Sequence, residues 1–322
     1  MHILITGGAG FIGSHLTEYL IDRGHYITVI DDLSTGRIEN IQPFMNHPHF
    51  TFVRDTILNE QIMHILVEQC QQIYHLAAAV GVKLIVEQPV HTISTNISGT
   101  EIVLKIAHKF YRKILIASTS EVYGKSTHVP FNEDDEMLMG PTRFSRWSYA
   151  CSKAIDEFLG LAYHRQYTLP VVIARLFNTV GPRQVGQYGM VIPRFVKQAL
   201  ANEPITVYGD GTQSRCFTHV SDVVSALVSL MESDTTDGEV FNIGSTEEIS
   251  IAMLAQKIKE KCRSSSQIVH ISYEQAYGKE FDDLLRRVPD INKIKSAIGY
   301  DPKYSLDKTL DTVIAHHKNT PE

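Results

Sequence analysis

The chain has 322 residues, 43% of them hydrophobic and 20% charged, a balance that suits a packed globular fold and excludes a disordered or fibrous one. Lys and Arg total 30 against 36 Asp and Glu, for a net charge of -6; this lacks the basic excess of proteins held by a phosphate backbone, so nucleic acid is not an expected partner. No apolar run reaches the ~18 residues of a membrane span, and the N-terminus reads MHILITGG without a basic leader. Cys70, Cys151, Cys216 and Cys262 form no CxxC pair, and the 15 histidines show no ligand spacing. A cytoplasmic protein off the membrane, with reduced cysteines and no metal, is therefore expected.

Short apolar runs alternate with helix-period segments from the start. HILIT is followed by a helix through SHLTEYLIDRG, then by YITVID, FTFVRD, a helix near NEQIMHILVEQC, and QIYHLAA. The rhythm continues with a helix from about Asn96 to Phe110, the strand KILIAST, a helix from about Tyr149 to Tyr167 and the strand PVVIARLFN. This is the pattern of a Rossmann-type doubly wound α/β fold, a parallel sheet with helices on both faces. After Asn178 the sequence breaks into Gly- and Pro-punctuated pieces (GPRQVGQYG, NEPITVYGDGTQ), then gives an amphipathic helix near DVVSALVSLME and a strand EVFNIG. The expected division is residues 1–180 plus about 216–243 as a dinucleotide-binding domain, and 181–215 with 244–322 as a smaller α/β substrate region.

Gly7, Gly10 and Gly13 form GxxGxxG between the first strand and the first helix. Such glycines permit a tight turn and a close backbone approach to a pyrophosphate, which the free N–H groups of the helix N-terminus attract. Phe11 and Ile12 lie within this turn, and Ala77 follows the fourth strand; all three count as cofactor contacts. Asp31 closes the second strand 18 positions after Gly13, where an acid binds ribose hydroxyls and favours NAD over its phosphorylated form. Asp32 is either a further contact or simply solvated. Asp55, after the third strand, either meets the adenine amino group or caps a turn. Tyr149 and Lys153 stand four apart on one helix face. An ammonium beside a phenol favours phenolate, so the pair is suited to proton transfer. Thr119 ends the fifth strand, at the sheet edge where this fold class places ligands.

GGAGFIGSHL, HLAA, STSEVYG, YACSK and RLFNTVGPR together resemble the extended short-chain dehydrogenase/reductase superfamily acting on nucleotide sugars, over nearly the whole chain. Within it, STSEVYG, GPTRFSRWSYACSK, RCFTHV and RRVPDI are similar to the UDP-glucuronate decarboxylases. Ser120-Glu121 stands where plain 4-epimerases carry a Ser or Thr and an apolar residue, and where 4,6-dehydratases carry Asp-Glu.

The resemblance implies that Tyr149 takes the sugar 4-OH proton as hydride leaves C4 for NAD, with Thr119 on the same hydroxyl. Ser120 and Glu121 then handle protons near C5 and C6, and Arg287 meets the carboxylate or protonates C5, with Arg286 as its alternative. It also implies Asn178 and Arg215 at the diphosphate, Val207 and Tyr208 beside the uracil, UDP-glucuronate as the favoured UDP-sugar, and a homodimer formed through the helices near 96–110 and 149–167. Arg183 and Arg194 are either phosphate contacts or partners of surface acids. The run Glu133 to Glu136 is expected to be a solvated loop. The alternatives are a nucleotide-sugar 4-epimerase, a 4,6-dehydratase, or a catalytically silent NAD-binding protein.

Overall fold

The apolar runs become strands because each is short, β-branched and closed by a turn or a helix cap. In the structure, a computed structural model describing residues 1–81, 85, 87–186, 190–277 and 284–319, seven strands form one parallel sheet. They are β1 (His2–Thr6), β2 (Tyr26–Ile30), β3 (Phe50–Val53), β4 (Gln72–His75), β5 (Lys113–Thr119), β6 (Val171–Leu176) and β7 (Glu239–Ile243). Their spatial order is β7-β6-β5-β4-β1-β2-β3, so the winding reverses between β1 and β4 and opens a crevice at the carboxyl edge. Ile5 of β1 lies opposite Val29 of β2 and Tyr74 of β4.

Alternation within each strand divides the core into two faces. Ile3 and Ile5 join Leu16 and Leu20 of helix α1 (Phe11–Ile21), while Leu4 between them joins Met63 and Val67 of α2 (Glu60–Gln69) and Val103 of α3 (Pro89–Phe110). Asn59 caps α2 by accepting the Ile62 N–H. Helix α4 (Arg146–Tyr167) runs beside α3, and α5 (Val220–Glu232) packs on the α1 face. Helices α3 and α4 both begin before the positions their apolar periodicity suggests, α3 through Pro89 at its first position. Proline suits that position because its missing N–H would be unpaired there anyway.

A third core gathers Val180, Phe195, Val207 and Phe217 with Leu254 and Leu310 from the helices Ile251–Cys262 and Leu306–Asn319. Among the described residues, no helix is long and apolar enough to cross a membrane. The stretch GPRQVGQYG is described except for 187–189.

The acidic run is not uniformly solvated as expected. Glu133 is buried, its carboxylate accepts the Asn242 N–H of β7 at 2.8 Å, and its carbonyl accepts from Arg175 at 2.9 Å. The Asn242 N–H satisfies one oxygen of the buried carboxylate, and Arg175 satisfies the backbone carbonyl of the same residue. Asp134 and Glu136 are exposed.

Candidate active site

The turn after β1 is built for close approach. Gly7 has φ +71°, and a Cβ on it would lie 2.8 Å from the Ala77 backbone. A Cβ on Gly13 would come within 2.4 Å of the Gly7 carbonyl. Larger residues would push the α1 start away from the sheet. Gly10 is the N-cap and no side chain caps the helix, so its first turn presents backbone N–H groups to an anion. This turn, Asp31, Asp32, Asp55 and Ala77 line one cavity of about 490 Å³. The Asp31 carboxylate accepts from the N–H of Ala9 (3.0 Å) and of Leu33 (2.9 Å), which fixes its orientation and leaves lone pairs for two further donors. Burial pushes its pKa up against those hydrogen bonds. Asp32 is exposed and accepts the Ser34 N–H. Asp55 binds the Thr56 N–H and the Asn59 amide, so it does cap its turn while also lining the cavity.

A second cavity, of about 210 Å³, adjoins the first, and Glu121, Tyr149, Asn178 and Arg287 line both. Thr119 ends β5 and accepts the Glu121 N–H at 3.2 Å, which winds Ser120–Tyr123 into a single 3-10 turn. Ser120 lines the first cavity. Tyr149 is buried and hydrogen-bonded to Thr119; burial holds its phenol well above the usual tyrosine range, with the Glu121 charge adding to the effect.

Lys153 meets a partner that its spacing from Tyr149 does not indicate. Its Nζ pairs with Asp156 Oδ2 at 2.6 Å, both side chains being buried, and Lys153 lines neither cavity. An ammonium in so dry a place needs a counter-charge, and a carboxylate one helical turn away supplies it.

Glu121 lies between two buried guanidinium groups, with Arg287 Nη1 at 3.4 Å and Arg146 Nη2 at 3.8 Å from the same oxygen. Arg146 is a site residue that sequence reasoning missed. The available signal was its place three positions before Tyr149, on the same face of α4. Asn96 was missed as well: its amide donates to Ser152 Oγ at 3.1 Å, and Ser152 Oγ donates to the Tyr149 carbonyl at 2.9 Å, tying α3 to the turn of α4 that carries Tyr149. Arg286, offered as a substitute for Arg287, is exposed and paired with Glu248 at 2.8 Å.

On the far wall, Asn178 sits at φ +33°, a region asparagine tolerates, and its amide donates to the Cys216 carbonyl at 2.8 Å. Arg215 is buried against the carbonyls of Ser214 and Leu285 and lines the second cavity with Tyr208. Arg194 lies 3.8 Å over the Tyr208 ring and lines the same cavity. Arg183 pairs with Glu18 at 2.6 Å and borders the first cavity. Val207 does not line the cleft: it is fully buried in the third core, because strand alternation turns it away from the face that carries Tyr208.

The family described as GDP-mannose 4,6-dehydratase matches residues 4–313. The chain belongs to that family. The family assignment accords with a UDP-N-acetyl-α-D-glucosaminuronate decarboxylase of Bacillus cytotoxicus, 45% identical over 97% of this chain and 96% of that one. A UDP-glucuronic acid decarboxylase 1 of Xenopus tropicalis is 38% identical over 99% of this chain and 73% of that one. Among solved structures, the UDP-glucuronic acid 4-epimerase of Bacillus cereus, in complex with UDP-glucuronic acid and NAD, superposes with a TM-score of 0.89 at 31% identity, covering 99% of both chains. This member of the GDP-mannose 4,6-dehydratase family is thus an NAD-dependent enzyme of nucleotide sugars, and the glycine turn that a Cβ would fill fits that cofactor.

NADP is expected to bind at least about tenfold more weakly than NAD, since a carboxylate at the ribose repels a 2′-phosphate. Arg37 lines the same wall, so a fluorescence titration with both cofactors weighs carboxylate against guanidinium directly. Equal affinities would remove Asp31 from the selection.

Proposed function

We propose that the enzyme decarboxylates UDP-glucuronate through a 4-keto intermediate. The observation that carries this reading is Glu121 held between Arg146 and Arg287 beside Tyr149, where a C6 carboxylate lies when the 4-OH meets the phenol. A uronate next to Glu121 places two negative charges in a buried site, and two guanidinium groups balance them. Asn178, Tyr208 and Arg215, with Arg194, are read as the grip on the UDP moiety.

Bound NAD supplies the hydride acceptor for C4. Tyr149 removes the 4-OH proton while Thr119 orients the hydroxyl. In the resulting β-keto acid the C5–C6 bond breaks, its electron pair passes into the C4 carbonyl as an enolate, and carbon dioxide leaves uncharged. Arg287 and Arg146 lie where they stabilise that enolate. Glu121, with Ser120 and water, delivers the proton to C5, and Tyr149 gives its proton back to the C4 oxygen as C4 takes back the hydride, which restores the cofactor and leaves a UDP-pentose. Lys153 and Asp31 are read as contacts of the cofactor riboses, Lys153 after turning from Asp156.

The 45% identity to an N-acetylglucosaminuronate decarboxylase favours a second reading, in which the sugar carries a 2-acetamido group and the chemistry at C4 to C6 is the same. Incubation with either uronate is expected to release carbon dioxide and give a UDP-sugar lighter by that mass. If the enzyme instead interconverts UDP-glucose and UDP-galactose and leaves both uronates untouched, the 4-epimerase takes the place of this reading.

The division into a cofactor part (1–180 and about 216–243) and a sugar part (181–215 and 244–322) belongs to the same proposal, as does a cytoplasmic location, which four free cysteines support. So does a homodimer, supported by Val90 and Ile93 on α3 and Ile155 and Phe158 on α4, which are exposed large apolar side chains on adjacent helices. Sedimentation should give twice the chain mass, and Phe158→Glu should shift it toward the monomer.

A further inference from the structure

We infer that Asn242 is a positioning residue that holds Arg287 against Glu121; its consequence for the reaction rests on the decarboxylase reading. The two charged groups lie 3.4 Å apart but belong to different segments. Just past Arg287 the chain forms a single-residue bridge, in which the Phe131 N–H donates to the Val288 carbonyl at 2.8 Å and the Phe131 carbonyl accepts the Asp290 N–H at 2.8 Å. Asn242, on β7, is fully buried beside this bridge. Its Oδ1 accepts the Tyr123 hydroxyl at 2.7 Å, and its Nδ2 donates to the carbonyls of Phe131 at 2.9 Å and of Asp290 at 3.3 Å. Tyr123 ends the 3-10 turn that carries Glu121, and Asp290 lies three positions after Arg287. One amide therefore ties both halves of the ion pair to the same strand.

The orientation of that amide follows from its partners. Arg175 stands opposite Asn242 in the register of β6 and β7, and its Nη1 donates to the Tyr123 hydroxyl at 2.9 Å. A guanidinium can only donate, so the tyrosine uses a lone pair there and gives its own proton to an acceptor. That acceptor is Asn242 Oδ1, which leaves both Nδ2 hydrogens for the two carbonyls. Arg175 is anchored in turn by Glu157 of α4 at 2.7 Å, the helix that also carries Arg146 and Tyr149. The Asn242 N–H donates to Glu133 Oε1 at 2.8 Å, and the Phe131 ring stacks on Tyr123 at 4.6 Å, so the chain between the two charged groups is held from both sides. Ionised aspartate would keep the shape of Asn242 without its donors, and leucine would keep it with no polar atom. Tyr149 and Thr119 are placed by α4 and by the β5 ladder, so oxidation at C4 does not depend on this amide, whereas loss of carbon dioxide, which uses Arg287, does.

The test compares NAD-bound wild type with Asn242→Leu. In crystal structures the separation of Arg287 from Glu121 is expected to lengthen by about 1 Å, a misplacement of the size that lowers rates on the order of a hundredfold. In single turnovers on UDP-glucuronate, reduction of NAD should stay within about threefold of wild type while carbon dioxide release falls at least about tenfold. In an Arg287→Ala background the same substitution should change release by less than about twofold, because residues that act through one another are not additive. Tyr123→Phe deletes one hydroxyl, should give a smaller change in the same direction, and serves if Asn242→Leu fails to fold. An unmoved pair in the folded variant overturns the proposal, as do full additivity with Arg287→Ala or an equal loss of reduction and release, which would make Asn242 a general support of the fold. If the wild type releases no carbon dioxide from UDP-glucuronate, the decarboxylase reading fails there, and the separation, which needs no sugar, still decides whether Asn242 holds the pair.

Discussion

Replacing Tyr149 by phenylalanine is expected to lower turnover at least ~100-fold while leaving the fold and NAD binding intact. The substitution deletes one hydroxyl, and a positioned general base contributes typically 10²–10⁴ in rate, or at least about 2.7 kcal/mol at 1.36 kcal/mol per decade. The pH dependence follows from the same group. Burial raises the phenol pKa, so the neutral form persists to higher pH than in solution, and activity falls as the pH drops below the midpoint set by the bound, positively charged cofactor. Single-turnover reduction of bound NAD, followed by absorbance, isolates this step. Near-normal hydride transfer in the variant would assign the proton to another group.

The second large effect is expected at Glu121. Glu121→Gln keeps the shape of the side chain and leaves Tyr149 and Thr119 addressed to the 4-OH, so NAD and UDP-sugar binding should change little. Product formation should fall by two to four powers of ten, about 3–5 kcal/mol of transition-state stabilisation. The loss has two sources: the amide cannot exchange a proton with C5, and it no longer balances the guanidinium groups of Arg146 and Arg287 on either side. Product analysis by mass distinguishes this from a general defect, because reduction of NAD should continue in the variant while carbon dioxide release stops. Wild-type formation of the pentose by Glu121→Gln would remove this carboxylate from the chemistry.

The parallel sheet was legible because its determinants are local. HILIT, KILIAST and PVVIARLFN are runs whose length and β-branching admit little else, and KILIAST occupies Lys113–Thr119 as read. The glycine turn and Asp31 were legible for a related reason: a fixed spacing on consecutive elements fixes their relation in space. The helix starts were less so. Arg146–Tyr167 begins before Tyr149 without a side-chain cap, and the missing capping residue removes the signal that marks a start. Glu133 shows a different limit. In the sequence it is one of four consecutive acids, and its burial depends on Asn242 and Arg175, which lie far along the chain and carry no local trace of the contact.

For this protein the sequence by itself determined the strand and helix succession, the turn that receives the cofactor, and the residue types available for proton transfer, all consequences of periodicity and short-range spacing. Only the tertiary structure decided which charges meet. The 3-10 turn after β5, the first turn of α4 and the segment Leu284–Arg287 converge on one carboxylate. The physical reason is that a buried charge is governed by the nearest group able to compensate it once water is excluded, and the approach of Arg287 to Glu121 from a distant part of the chain is a property of the packed fold.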